Sequence, residues 1–150
     1  MLSGVRVLVA EDDIQLLFFV CEVFTRLGAD VVRAFNGGDL IEQLATAGPF
    51  DLIVTEISMP WMNCLQAIRS TRAAGLATSV IVMTALTDPK IPERVKSLGA
   101  NVALLRKPFA LSELEATASA LLGQASQAES PRKPFGSGVR PEKNSRRDDA

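Results

Sequence analysis

Along the chain, short β-branched runs alternate with longer segments whose apolar residues recur every three or four positions. The runs Val5–Ala10, Asp30–Ala34, Leu52–Thr55, Ser79–Thr84 and Val102–Leu105 predict strands, mostly apolar throughout, as in a sheet covered on both faces. The helical spacing predicts helices over Ile14–Leu27, Gly38–Ala47, Cys64–Ala74, a proline-opened stretch ending at Leu98, and Leu111–Leu122. Pro89 and Pro92 both suit the first turn of the fourth helix, so its start stays open. Glycines 28, 48, 75, 99 and 123 follow the helices, where a chain commonly turns left-handed to stop. Five βα repeats in about 120 residues predict an α/β fold with a parallel sheet between two helical layers.

Near Gly123 the composition changes. From Gln124 to Ala150 there are three prolines, and the only large apolar residues are Phe135 and Val139. Such a segment buries too little to offset its ordering entropy. The expected organisation is therefore one folded domain over residues 4–122 and a disordered Pro/Ser/Arg-rich tail over 123–150. The tail from Gln124 carries six basic and four acidic residues; residues 1–123 carry ten and thirteen. It suits a solvated terminus or a docking segment for an acidic partner.

Composition narrows the chemistry. There is no histidine, which excludes a histidine base, nucleophile or metal ligand. A net charge of −1 is not the footprint of a dedicated nucleic-acid binder. No apolar run approaches the roughly 18–20 residues of a membrane span, and Met1–Val5 is no signal peptide. Cys21 and Cys64 form neither a zinc motif nor a redox pair, and suit buried thiols in a reducing cytoplasm. A cytoplasmic chain with no direct nucleic-acid or membrane contact is expected.

In parallel sheets of this kind ligands sit beyond the carboxyl ends of the strands. There this chain has Glu11, Asp12 and Asp13; Glu56 with Ser58-Met59-Pro60; Thr84 and Ala85; and Lys107-Pro108-Phe109. Crowded carboxylates repel one another unless a cation lies among them, and Mg²⁺ favours carboxylate, carbonyl and water oxygens. A lysine and a hydroxyl then suit a phosphoryl group or another anion.

These segments, with Val7-Leu-Val-Ala before Glu11, Asp51-Leu-Ile-Val-Thr before Glu56 and Val80-Ile-Val-Met before Thr84, resemble the receiver domain of bacterial two-component response regulators. The resemblance spans roughly residues 4–122. It implies a flavodoxin-like (βα)5 sandwich with strand order 2-1-3-4-5. It further implies that a histidine kinase phosphorylates an aspartate ending the third strand, with Mg²⁺ bound beside it. Carried over, Asp12 would ligate the metal directly, Glu11 through water, Glu56 from the acceptor position and Ser58 by its backbone carbonyl. Thr84, next to Ala85, would contact the phosphoryl group and Lys107 would neutralise it.

The chain departs from that pattern at Glu56, which replaces the aspartate. One extra methylene moves the carboxylate outward by about 1.3–1.5 Å, and about 1 Å of misplacement can cost a hundredfold in rate. The carboxylate is expected to pair with Lys107, accept from Thr84 and carry one charge where a phosphate carries about 1.5–2. Asp51 lies roughly 16 Å away at the other end of the strand, and Asp13 should point away from the metal, so neither substitutes. Loss of conventional phosphorylation and a weak Mg²⁺ site are expected. Leu104 replaces an aromatic residue that often stands three before the lysine and turns with the threonine. It suits simple packing, or a weakened switch.

The first helix is apolar nearly all round. One stripe, Leu16, Phe19, Val20, Val23, Phe24 and Leu27, is expected to face the core. Leu17, Phe18 and Cys21 are expected beside or outside it, as a partly exposed edge or an interface for a partner or homodimer. Trp61 and Met62 suit a cover for the loop after the third strand.

The preferred reading is an atypical stand-alone receiver, not an enzyme. It would act by contact with a histidine kinase, a phosphotransfer protein or a downstream regulator. The alternative is a receiver that still accepts phosphoryl from a kinase, as relay or phosphate sink. A nucleotide-binding flavodoxin-like domain is the third reading; no glycine-rich phosphate loop follows the first strand to support it.

Overall fold

The computed structural model describes residues 2–59 and 62–128. Five long parallel strands, β1 (Arg6–Ala10), β2 (Asp30–Ala34), β3 (Leu52–Glu56), β6 (Ser79–Thr84) and β7 (Val102–Arg106), form one sheet. Their order is β2-β1-β3-β6-β7, which is 2-1-3-4-5 when the long strands alone are counted, as expected. Two short strands, β4 (Ser58–Met59) and β5 (Met62–Asn63), make an antiparallel ribbon after β3 that two-residue pairing leaves invisible to any periodicity. The helices are α1 (Ile14–Arg26), α2 (Gly37–Thr46), α3 (Cys64–Ala73), α4 (Ile91–Lys96) and α5 (Leu111–Ala128).

Alternation along the strands builds two apolar layers. Val7, Val9, Leu52, Val54, Ile81 and Met83 face α1 and α5. Leu8, Ala10, Ile53, Val80 and Val82 face α2, α3 and α4. The central strand β3 is buried at every position. Caps set the helix starts: Asp13, Asn36 and Asn63 each turn a side-chain oxygen onto the first free N–H groups of α1, α2 and α3. Gly28 ends α1 and Gly75 ends α3, with φ of 96° and 85° that a side chain would resist. Pro92, not Pro89, lies in the first turn of α4, whose N-cap is Lys90.

Two expectations are corrected. Helix α5 does not stop at Gly123 but continues to Ala128; a glycine at a helix end need not break it, and a Cβ there would meet open space. In α1 the core stripe is rotated. Leu17 is 0% exposed and Cys21 8%, while Phe18 and Phe19 are 46% and 43% exposed. At 100° per residue Leu17, Val20, Cys21 and Phe24 fall within about 100° of one another, and the two adjacent phenylalanines flank the opposite face. Leu17 and Cys21 are therefore core residues, and only Phe18 of the three expected interface residues lies at the surface. Trp61 and the segment 129–150 lie outside the described residues.

Candidate functional site

The carboxyl edge of the sheet brings together three charged side chains from three strands. Glu11 directly follows β1, and its N–H continues the β1–β2 ladder onto the Ala34 carbonyl at 3.1 Å. Glu56 is the last residue of β3. Lys107 follows β7, with its N–H on the Thr84 carbonyl at 2.9 Å. The lysine Nζ donates to Glu56 Oε1 at 2.6 Å and to Glu11 Oε1 at 2.9 Å. Side-chain exposure is 18% for Lys107, 9% for Glu56 and 1% for Glu11, so the cluster is largely withdrawn from water.

The other oxygens of the two carboxylates are committed as well. Glu56 Oε2 accepts from the backbone N–H groups of Ile57 at 2.8 Å and Ser58 at 3.2 Å. Glu11 Oε2 accepts from the Asp13 N–H at 3.1 Å. Asp13 in turn caps α1 by accepting from Gln15 and Leu16. Charge-assisted bonds of this kind make the arrangement stiff. Burial raises the pKa of Glu11, against the bonds from Lys107 and the Asp13 N–H that hold it down. Burial opposes the charge on Lys107, but its bonds to Glu56 and Glu11 outweigh this and raise its pKa. The cluster therefore holds two carboxyl groups around one ammonium.

The remaining expected residues are placed differently. Asp12 is exposed at the rim, and Asp13 is spent on the helix cap. Ser58 contributes its N–H to Glu56. Thr84 is fully buried, and its Oγ1 accepts from the Leu86 N–H at 3.1 Å. Among the described residues it makes no bond to Glu56, contrary to the expectation; both Glu56 oxygens are already filled. Ala85 is exposed, and Leu104 is partly buried against the layer of α2, α3 and α4. The backbone donors of Ile57 and Ser58 carry no sequence signal. Neither does the contact of Arg106 with the Leu86 carbonyl at 3.1 Å.

The donor set suits Mg²⁺ by residue type but not by arrangement. Both buried carboxylates turn to Lys107, and among the described residues no group of three or more His, Cys, Asp or Glu converges to hold a metal ion. No helix among the described residues is long and apolar enough to cross a membrane.

Comparison with known proteins agrees with the fold. A family model described as the response regulator receiver domain matches residues 7–119. The Transcriptional regulatory protein CrdR of Helicobacter pylori is 37% identical over 112 residues, covering 74% of this chain and 52% of that protein. The Probable chemotaxis protein CheY of Rhizobium etli is 28% identical over 122 residues, covering 79% of this chain and 93% of that protein. The solved receiver domain of the Francisella response regulator 1452 matches with a TM-score of 0.72 at 28% identity, over 81% of this chain and 99% of that one. The chain spans about half the length of several curated relatives it matches, 52%, 52% and 51% for the first three.

Proposed function

This chain belongs to the response regulator receiver domain family of two-component signalling, and we propose that within it the chain is an atypical member that works by protein contact, with Glu56 in place of the phosphorylated aspartate. The observation that carries this reading is the commitment of the Glu56 carboxylate to three donors, Lys107 Nζ and the N–H groups of Ile57 and Ser58. A carboxylate already neutralised by the lysine is a poor nucleophile, and two of the three Nζ donors are already taken by Glu11 and Glu56. Receiver domains generally bind Mg²⁺ at the phosphorylation site. Here an ion would compete with Lys107 for Glu11 and Glu56, so binding is expected to be weak.

Glu56 reproduces the lysine contact of a phosphoryl group and not the threonine contact. It is a partial mimic with two oxygens and one charge. The domain then acts as a binding domain in the cytoplasm. Its partners are a histidine kinase, a phosphotransfer protein or a downstream regulator, engaged through α1 or through the face formed by α4, β7 and α5. A homodimer through α1 is the second form this takes; the half-exposed Phe18, with the Arg33 guanidinium 5.1 Å from its ring centroid, favours that face.

The test is incubation of the full chain with acetyl phosphate and Mg²⁺, followed by intact mass. The parent is expected to stay unmodified and Glu56→Asp to gain a phosphoryl adduct. An adduct on the parent that disappears in Glu56→Gln would favour the alternative, a phosphoryl-accepting relay or sink. If the mimic operates, Glu56→Asp makes partner binding donor-dependent; equal partner affinity for Glu56→Gln and the parent removes it.

A further inference from the structure

One polar arm at the same sheet edge is unused by the cluster around Lys107. The backbone at Leu86, in the loop between β6 and α4, is held on both sides of its Cα. Its N–H donates to Thr84 Oγ1 at 3.1 Å, and its carbonyl accepts from Arg106 Nη1 at 3.1 Å. The backbone closes this frame, because Thr84 and Arg106 are register partners across β6 and β7 and the Lys107 N–H bonds the Thr84 carbonyl at 2.9 Å. Arg106 also lies on the same face of β7 as Leu104, two residues before it. Leu104 has no polar atom with which to hold the loop.

We propose that Arg106 is a positioning residue that pins the backbone at Leu86 and so keeps the Thr84 hydroxyl turned to the loop rather than to Glu56. The inference deepens the reading above and rests on it for its consequence at the acceptor site. Thr84 is buried and has one hydroxyl. While Oγ1 accepts from Leu86, its position is set by wherever the Leu86 N–H lies. Moving Thr84 toward an anion on residue 56 requires the Leu86 backbone to move or its N–H to lose that bond. Arg106 opposes such movement from the carbonyl side. Its guanidinium is exposed and reaches no carboxylate among the described residues, so this contact is the role the geometry gives it.

The test uses the full chain and two readouts. The first is amide hydrogen exchange at Leu86 in the parent, Arg106→Ala and Arg106→Lys. Loss of one exposed hydrogen bond predicts exchange about three- to tenfold faster in Arg106→Ala, partial recovery in Arg106→Lys, and an unchanged rate at Val82 inside β6. The second is the affinity of beryllofluoride with Mg²⁺ for Glu56→Asp alone and combined with Arg106→Ala. The double variant is expected to bind about three- to tenfold more tightly, because Thr84 no longer has to be released. Unchanged exchange at Leu86 overturns the proposal. Faster exchange with equal beryllofluoride affinity also overturns it, since Arg106 then merely stiffens the loop. If Glu56→Asp binds no beryllofluoride at all, the reading of Glu56 as the block fails, and the exchange at Leu86 alone decides the role of Arg106.

Discussion

Replacing Lys107 by methionine keeps an unbranched chain one heavy atom shorter and removes the charge. Glu11 and Glu56 then face each other with side chains 1% and 9% exposed and no cation between them. Removing one partner of a buried pair generally costs about 3–5 kcal/mol, because the other charge is left uncompensated. Here the lower end applies, since the lysine is 18% exposed and water can enter as it leaves. A loss of about 3 kcal/mol should lower the melting temperature of a chain this size by about 6–12 °C. The loss has a pH signature. In the parent, burial raises the Glu11 pKa above its ordinary 4.5 while the bond from Lys107 holds it down. Without Lys107 it rises further. The folded variant then binds a proton that the unfolded chain releases, so this stabilisation is complete below 4.5 and disappears as pH climbs through the folded value. The deficit of Lys107→Met relative to the parent should therefore shrink between pH 7 and pH 5. Urea titration followed by far-ultraviolet circular dichroism at both pH values measures it. A deficit below about 1 kcal/mol at pH 7, or one equal at the two pH values, refutes the view of the cluster as a buried, mutually dependent set of charges.

Other consequences are simpler. Leu17→Ala, at a fully buried site, should cost about 2–5 kcal/mol in urea titration, whereas Phe18→Glu should leave stability within about 1 kcal/mol and dissolve any oligomer seen by sedimentation. Burial pushes the Cys21 thiol up to about 11 and the Cys64 thiol to about 12. Neither should react with iodoacetamide at pH 8 in the native chain, and both should react in urea. Gly123→Ala, inside α5 with open space around the new methyl group, should stabilise the chain by about 0.5–1 kcal/mol; a lower melting temperature would contradict the continuous helix.

The layers and the three charged residues at the carboxyl edge were legible because strand ends are marked by abrupt changes from apolar to charged residues, whereas the strand order came from the family resemblance. Val9-Ala10-Glu11 and Val54-Thr55-Glu56 are such boundaries, and the sheet topology makes them neighbours. The phase of α1 was not legible, since the run Leu16-Leu-Phe-Phe-Val-Cys supplies an apolar residue for every direction. Only the sheet beneath decides which one is buried. The direction of the Thr84 hydroxyl was not legible either. It depends on which of two acceptors or donors is already satisfied, a matter of backbone amides at Ile57, Ser58 and Leu86 that leave no mark on side-chain identity.

That last point bears on how a domain of this kind holds one shape. A phosphoryl group offers three peripheral oxygens; Glu56 offers two, and three donors consume them. The lysine contact is therefore in place while the hydroxyl turns to Leu86, and the side chains of the two halves of the edge do not meet. Lys107 also grips Glu11, whose second oxygen takes the Asp13 N–H, and Asp13 caps α1. The charge cluster is thus joined by consecutive hydrogen bonds to the first turn of the helix that carries Phe18. The loop bearing Leu86 is held by Thr84 and Arg106 and meets the cluster through backbone alone, by the Lys107 N–H on the Thr84 carbonyl, with no bond to either carboxylate among the described residues. On this wiring, substitutions at Glu56 should perturb the α1 surface before they perturb the face formed by α4, β7 and α5. Amide chemical shifts of Glu56→Gln moving most at Leu86, with α1 silent, would reverse the order.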